Sequence, residues 1–312
     1  FQLESAGMRG FMKELKPNSM EDVIAGISLY RPGPKDFIPA YIKGKNDPGN
    51  ITYDTPLLEP ILSPTYGCIV YQEQVMQIVR DLAGYALGRS DLVRRAMSKK
   101  KGDVMAKERA NFVYGNVEEK VLGCIHNGIP ENVANKIFDE MTDFAKYAFN
   151  KSHAAAYAVV AYQTAYLKYY YPVEYMAALM TSVMDNGTKV SEYIMTCRSM
   201  GIRLLPPSVN EGKSGFSVDD TAPDDYSSGT SGDGRTKSIR YGLTAIKNVG
   251  RTLINEIITE RERNGKYKGI KDFISRMQPR GLNKRATENL IKAGALDGRG
   301  ANKRQLLAVY KT

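Results

Sequence analysis

In 312 residues the sequence holds no tryptophan, two histidines and three cysteines. Cys68, Cys124 and Cys197 stand far apart, no C-x-x-C occurs, and His126 and His153 are not in ligand spacing with them. That excludes a sequence-evident zinc site or disulfide framework and fits a reducing, cytoplasmic compartment. The longest apolar run, Ala154 to Tyr162, falls far short of the roughly 18 residues needed to cross a bilayer, so no membrane partner is expected. There is no Walker A motif, no G-x-S-x-G elbow and no Cys–His dyad. No repeat of 20–50 residues suggests a solenoid. Two-metal phosphoryl transfer needs a tight carboxylate cluster. The one dense acidic run, Asp219 to Asp233, lies in a Ser/Gly-rich stretch without a rigid frame to hold Mg²⁺. No catalytic residue and no metal ligand is therefore assigned. The chain opens on Phe1 with neither Met nor signal peptide, and reads as a piece of something longer.

What is present supports a packed protein: 42% hydrophobic and 25% charged, with 20 Tyr and 9 Phe. The length suits two domains. The net charge of +10 is uneven. Residues 240–312 carry 17 Lys/Arg against 6 Asp/Glu, while residues 1–239 hold the other 27 against 28. A basic final quarter points to a polyanion partner, although solubility alone could also use such charge.

The pattern is mainly α. Ser19 with Asp22 forms a loose capping box ahead of a helix near 19–29, and Arg31-Pro32-Gly33-Pro34 stops it. Apolar residues at 71, 75, 78, 79 and 82 share a helical face. Further helices are expected near 90–100, 103–114, 130–142, 152–170, 173–184 and 188–200. Ser90, Asp103 and Ser152 are their candidate N-caps, and Gly102, Gly115 and Gly201 their stops. Residues 211–238 change to an acidic, Ser/Gly-rich composition expected of a flexible loop. The expected organisation is a multi-helix domain over 1–210, that loop, and a small helix-hairpin-helix segment over 239–312.

Three constellations carry cations in useful patterns. In Ser90 to Lys101, Arg95 and Lys99 share one helical face, with Arg94, Ser98 and Lys101 beside it. Such a surface can hold phosphate oxygens, or can simply complement a helix C-terminus and stay solvated. In Phe149 to Tyr157, Lys151 stands beside a helix start whose free N–H groups favour an anion, and His153 and Tyr157 project together. Those groups suit a triphosphate plus a stacked ring, or equally a satisfied core histidine with Tyr packed beside it. In Leu243 to Arg251, followed by a helix over 252–263, a turn with an apolar residue and Gly250 makes the helix-hairpin-helix pattern. A weaker second copy spans Leu282-Asn283-Lys284-Arg285 and Leu290 to Ala295. Such hairpins hold a duplex by its phosphates without reading sequence.

Read in order, these segments resemble the alpha subunit of bacterial replicative DNA polymerase III, the C family of DNA polymerases. The resemblance rests on Phe1-Gln2-Leu3-Glu4-Ser5, Tyr30-Arg31-Pro32-Gly33-Pro34, Tyr71-Gln72-Glu73-Gln74-Val75-Met76, Arg94 to Lys101, Phe149 to Tyr157, Tyr171-Pro172-Val173-Glu174, Ile246 to Gly250 and Gly294-Ala295-Leu296-Asp297. It covers nearly the whole chain and implies the fingers region plus the start of the next domain. By that resemblance, Arg94, Arg95 and Lys99 meet the triphosphate of an incoming dNTP. Lys151, His153 and Tyr157 line the nucleotide pocket, with Arg31 near it. Lys247, Val249, Gly250, Arg251, Lys284 and Arg285 grip primer–template DNA. The catalytic aspartates and their Mg²⁺ belong to a palm upstream of Phe1, so this fragment is expected to be inactive alone and to bind no cofactor. The remainder of the alpha subunit is the implied partner, as is a sliding clamp for the parent subunit. Two rivals need no polymerase: a stand-alone helix-hairpin-helix DNA-binding module, and a helical interaction scaffold with a solvated basic tail.

Overall fold

The structure is a computed structural model that describes residues 1–99, 102–145, 147–220, 237–298 and 302–310, apart from the side chains of residues 98, 99, 102 and 309. It divides into two compact units, Phe1–Thr164 and Ala165–Thr312.

The first unit begins with α1 (Ala6–Leu15), α2 (Met20–Leu29), α3 (Ile38–Asn46) and the single turn α4 (Glu59–Leu62). It continues with α5 (Gln72–Ala83), α6 (Leu87–Lys99), α7 (Gly102–Tyr114), α8 (Glu131–Ala145) and most of α9 (Lys151–Tyr170). Ser19 caps α2 as the sequence suggests, its hydroxyl accepting the Asp22 N–H at 3.2 Å, and the Asp22 carboxylate accepts the Asn18 N–H at 3.0 Å. The expected face of α5 is the observed one. Val75, Ile78, Val79 and Leu82 are fully buried against Phe112, Ile137, Phe138 and Met141, and Gly84 closes the helix in the left-handed region at φ 74°. A second core joins α1, α2 and α3 to Val70, Tyr71, Ala154 and Ala158. Only small residues of α9 are buried there, which lets the helix lie close to its neighbours and leaves Tyr157 and His153 outside.

Three expected caps are displaced, the first being Asp103, which is the second residue of α7 behind Gly102, itself expected as a stop. Ser90 lies inside α6, fully buried, with its hydroxyl donating to the Ala86 carbonyl at 3.1 Å. Ser152 lies inside the first turn of α9, and the cap is Asn150, whose Oδ1 accepts the His153 N–H at 2.8 Å.

The second unit holds α10 (Pro172–Ser182), α11 (Gly187–Ser199), α12 (Arg251–Asn264), α13 (Ile270–Met277), α14 (Lys284–Ala293) and α15 (Lys303–Val309). Pro172 opens α10 at the position where its missing N–H costs nothing. A small sheet has the order β1 (Leu204–Leu205), β3 (Ser238–Arg240), β2 (Ser217–Asp219), with β3 parallel to β1 and antiparallel to β2. Composition alone marked 211–238 as a loop throughout. Residues 211–220 are instead ordered by Phe216, which is buried and packs its ring against Tyr241 at 4.8 Å, and by the Arg240–Asp219 ion pair at 2.6 Å. Residues 221–236 of that stretch lie outside the described residues, and its last residue, Ser238, opens β3. The division after Thr164 falls within α9 and differs from the expected boundary at 210. Residues 202–216 pack with α10 and α11 through Ile202 and Phe216, so composition changes where packing does not.

Candidate nucleotide and nucleic-acid contacts

At the start of α9 the chain assembles cations and rings on one strip of surface. Tyr71 and Phe149 pair as an isolated parallel bridge, with the Gln72 N–H donating to the Phe149 carbonyl at 3.0 Å. Buried Gln74 sets this geometry. Its Oε1 accepts the Val70 and Tyr71 N–H groups at 2.8 and 3.0 Å, and its Nε2 donates to the Ile61 carbonyl and Thr65 hydroxyl at 3.1 and 2.7 Å. All its polar atoms are thus matched, as burial demands.

Arg31 lies with its guanidinium 4.2 Å from the centre of the Phe149 ring, donating to the Tyr147 carbonyl at 2.7 Å and the Ser28 carbonyl at 3.0 Å. Burial lowers its pKa from the usual value, yet a guanidinium stays charged. From Phe149 the rings continue to His153 at 5.5 Å, then to Tyr157 at 4.5 Å, then to Phe1 at 5.5 Å. The Lys151 ammonium sits 5.2 Å from the Tyr71 ring centre and pairs with Glu21 at 2.9 Å. Arg31, Lys151, His153 and Tyr157 are thus gathered around the junction of α9 with Tyr71 and Phe149. The sequence pattern pointed to Lys151, His153 and Tyr157 by their spacing. It missed Glu73, Glu21, Phe149 and Asn150, although three of these lie within the quoted motifs. Two carboxylates beside a lysine carry no signature until the bridge between residues 71 and 149 is known.

On α6, Arg94 and Arg95 pair within their own helix, both reaching back to Asp91, at 2.7 and 2.8 Å. The Arg94 hydrogen bond, opposed by slight burial and helped by both charges, holds the Asp91 carboxyl below its usual range. Arg95 is the more exposed of the two, at 63% against 20% for Arg94. Lys99 closes the helix, but its side chain lies outside the described residues, as do residues 100 and 101.

In the second unit the two hairpins reverse their expected ranks. The element before the first turn is a single 3₁₀ turn, Leu243–Ala245, not an α-helix, and α12 follows Gly250. The second copy has the fuller form, α13, a 3₁₀ turn at Gln278–Arg280, then Gly281 at φ 90°, and α14 capped by Asn283. Lys247, Gly250, Arg251, Lys284 and Arg285 are all exposed. Val249 is different: its side chain is turned into the core at 7% exposure, so only its backbone is available to a ligand. Gly250 has an ordinary φ of −68°, and a Cβ built there would meet nothing within 4 Å. The left-handed residue of the turn is Asn248, at φ 63°, and its Oδ1 accepts from Arg285 at 2.6 Å. That bond ties the start of α14 to the first turn, setting the two helix starts beside each other. A groove of about 820 Å³ runs along the first turn, lined in part by Tyr241, Lys247, Asn248, Asn289 and Lys292.

The surroundings of the three thiols disfavour the thiolate. Burial pushes Cys68 and Cys197 up to about 11 and Cys124 up to about 12. Among the described residues no group of three or more His, Cys, Asp or Glu is placed to hold a metal ion. No described helix is long and apolar enough to cross a membrane.

A helical unit ending in a basic, ring-lined helix start is followed along the chain by paired helical hairpins. Residues 201–306 match the helix-hairpin-helix motif model, and residues 1–120 match that of the bacterial DNA polymerase III alpha subunit finger domain. Along its whole length the chain corresponds to this one region of the bacterial DNA polymerase III alpha subunit. It is 46% identical over 99% of its length to DNA polymerase III subunit alpha of Thermus aquaticus, of which that span is 24%. The figures are 45% over 99% for the subunit of Chlamydia trachomatis, covering 23% of it, and 44% over 100% for that of Pseudomonas aeruginosa, covering 25%. The chain thus spans about a quarter of the length of the curated relatives it matches.

Proposed function

We propose that the chain supplies nucleotide and primer–template contacts to a DNA-directed DNA polymerase, a nucleotidyltransferase, in the bacterial cytoplasm. The observation that carries the reading is the junction at α9, where Arg31, Lys151, His153 and Tyr157 stand together around Phe149 and Tyr71. Lys151 and Arg31 supply positive charge for the triphosphate of an incoming dNTP, and His153 and Tyr157 supply ring faces for its sugar and base. Arg95, with Arg94 and Lys99, adds charge from α6. Cations that meet the triphosphate as charge spreads over it lower the barrier electrostatically, without taking part in bond making. The displacement and its Mg²⁺ ions belong to a palm outside this chain.

Lys247, Gly250, Arg251, Lys284 and Arg285 grip the duplex backbone, where the α12 and α14 starts offer N–H groups and the side chains add charge. The remainder of the subunit is the structural partner, and a sliding clamp binds the parent subunit. Hydrogen exchange on the complete polymerase tests the nucleotide half: a matched dNTP with primer–template should protect the Lys151–Tyr157 segment. Protection that the DNA gives unaided, with no increment from the dNTP, would leave only a helix-hairpin-helix module.

A further inference from the structure

The sequence pattern expects free N–H donors at the start of α9 to face a phosphate, but the Lys151 and His153 donors are already engaged. Glu73, in the first turn of α5, accepts the Lys151 backbone N–H with both carboxylate oxygens, at 3.2 and 3.1 Å, and the Asn150 side-chain amide at 3.1 Å. Asn150 in turn accepts the His153 N–H. One carboxylate thereby fills the helix terminus from the neighbouring helix, favourably placed against both helix dipoles. The backbone bridge at Tyr71 and Phe149 holds the two helix starts in that register.

We propose that Glu73 is the positioning residue of the nucleotide pocket. It touches no nucleotide. It acts through Lys151 and Asn150, fixing the helix end from which Lys151, His153 and Tyr157 project. Its negative charge keeps the triphosphate off the helix terminus and directs it to the side chains. The inference rests on the nucleotide reading of Lys151.

The test uses the complete polymerase with Glu73→Ala, Glu73→Gln, Lys151→Ala and the Glu73→Ala/Lys151→Ala double variant. Steady-state dNTP KM, kcat and primer–template Kd are measured. Glu73→Ala should raise dNTP KM about tenfold with the DNA Kd unchanged, and Glu73→Gln about threefold, since its amide oxygen still accepts one N–H. The double variant should be no worse than the more severe single variant within about twofold, because both act through one unit. Hydrogen exchange at Lys151 and His153 should accelerate in Glu73→Ala. If Glu73→Ala fails to fold, Glu73→Gln carries the test. A raised KM in Lys151→Ala with an unchanged KM in the Glu73 variants overturns the positioning role and leaves the nucleotide reading standing. Effects that multiply in the double variant overturn action through Lys151. An unchanged KM in Lys151→Ala overturns the nucleotide reading itself, and the proposal with it.

Discussion

Asp22 is a fully buried charge in the first unit, and Asp22→Asn tests what it contributes. Its carboxylate is fully buried yet accepts from the Lys45 ammonium, the Asn18 N–H at 3.0 Å, Tyr66 OH at 3.2 Å and Tyr41 OH at 3.4 Å. Lys45 is itself nearly buried, at 8%, and also donates to the Lys16 carbonyl at 3.0 Å. The amide keeps the shape and loses the charge, leaving a buried ammonium uncompensated. Breaking a buried pair in this way costs about 3–5 kcal/mol. Burial works to raise the carboxyl pKa, but hydrogen bonds from Lys45 and Asn18, with the Lys45 charge, take it below the usual value. A carboxylate lowered in the folded state contributes stability that is complete above its unfolded pKa of about 3.9 and is lost as pH falls through the lower folded value. The wild type should therefore exceed Asp22→Asn by about 3 kcal/mol at pH 7, and the gap should close in acid. Urea-dependent hydrogen exchange of peptides covering α2 and α3 reads this unit separately from the second. A gap below about 0.5 kcal/mol at pH 7, or one that widens in acid, would refute the reasoning.

Arg95→Ala should lower dNTP kcat/KM at least about tenfold in the complete polymerase, because Arg95 is the more exposed of the two arginines on Asp91; unchanged kinetics would remove α6 from the nucleotide contacts. Gly250→Ala should leave thermal stability within about 0.5 kcal/mol, since the φ is ordinary and the Cβ site open, while weakening duplex binding if backbone and phosphate approach closely there. Fluorescence anisotropy with a primer–template checks the second half, and undiminished binding would show that no close approach occurs. Lys284→Ala should reduce the slope of log K against log salt by about 0.9, the contribution of one phosphate contact. Native Cys124 should resist iodoacetamide at pH 8, because its thiol is buried and pushed up to about 12; rapid labelling detected by mass spectrometry would contradict that burial.

Helices with a clean apolar stripe were legible from spacing alone. Val75, Ile78, Val79 and Leu82 recur on one face and occupy one core. Long-range pairs were not legible. Nothing in the separate strings Tyr71-Gln72-Glu73 and Phe149-Asn150-Lys151 says that they pair, so Asn150 and Glu73, not Ser152, satisfy the start of α9. The short sheet was hidden for a similar reason. Strands of two and three residues carry no period, and β3 is reached only after the acidic stretch. Motif spacing identified both hairpins but misjudged their completeness, because Leu243–Ala245 has the composition of a helix and the length of one turn. Val249 shows the same limit at a single residue: the pattern gives its place in the turn, and only packing shows which way its side chain points.

The central claim is a division of labour, with nucleotide contacts at the α9 junction and duplex contacts at the hairpins. The most direct test compares Lys151→Ala with Lys247→Ala/Lys284→Ala in the complete polymerase, measuring dNTP KM and primer–template Kd for each. The account predicts that Lys151→Ala raises dNTP KM about tenfold or more with DNA Kd unchanged, and that the hairpin variant weakens DNA binding with dNTP KM, taken at saturating DNA, unchanged. A reversed pattern, or a Lys151→Ala enzyme with wild-type KM, would contradict it.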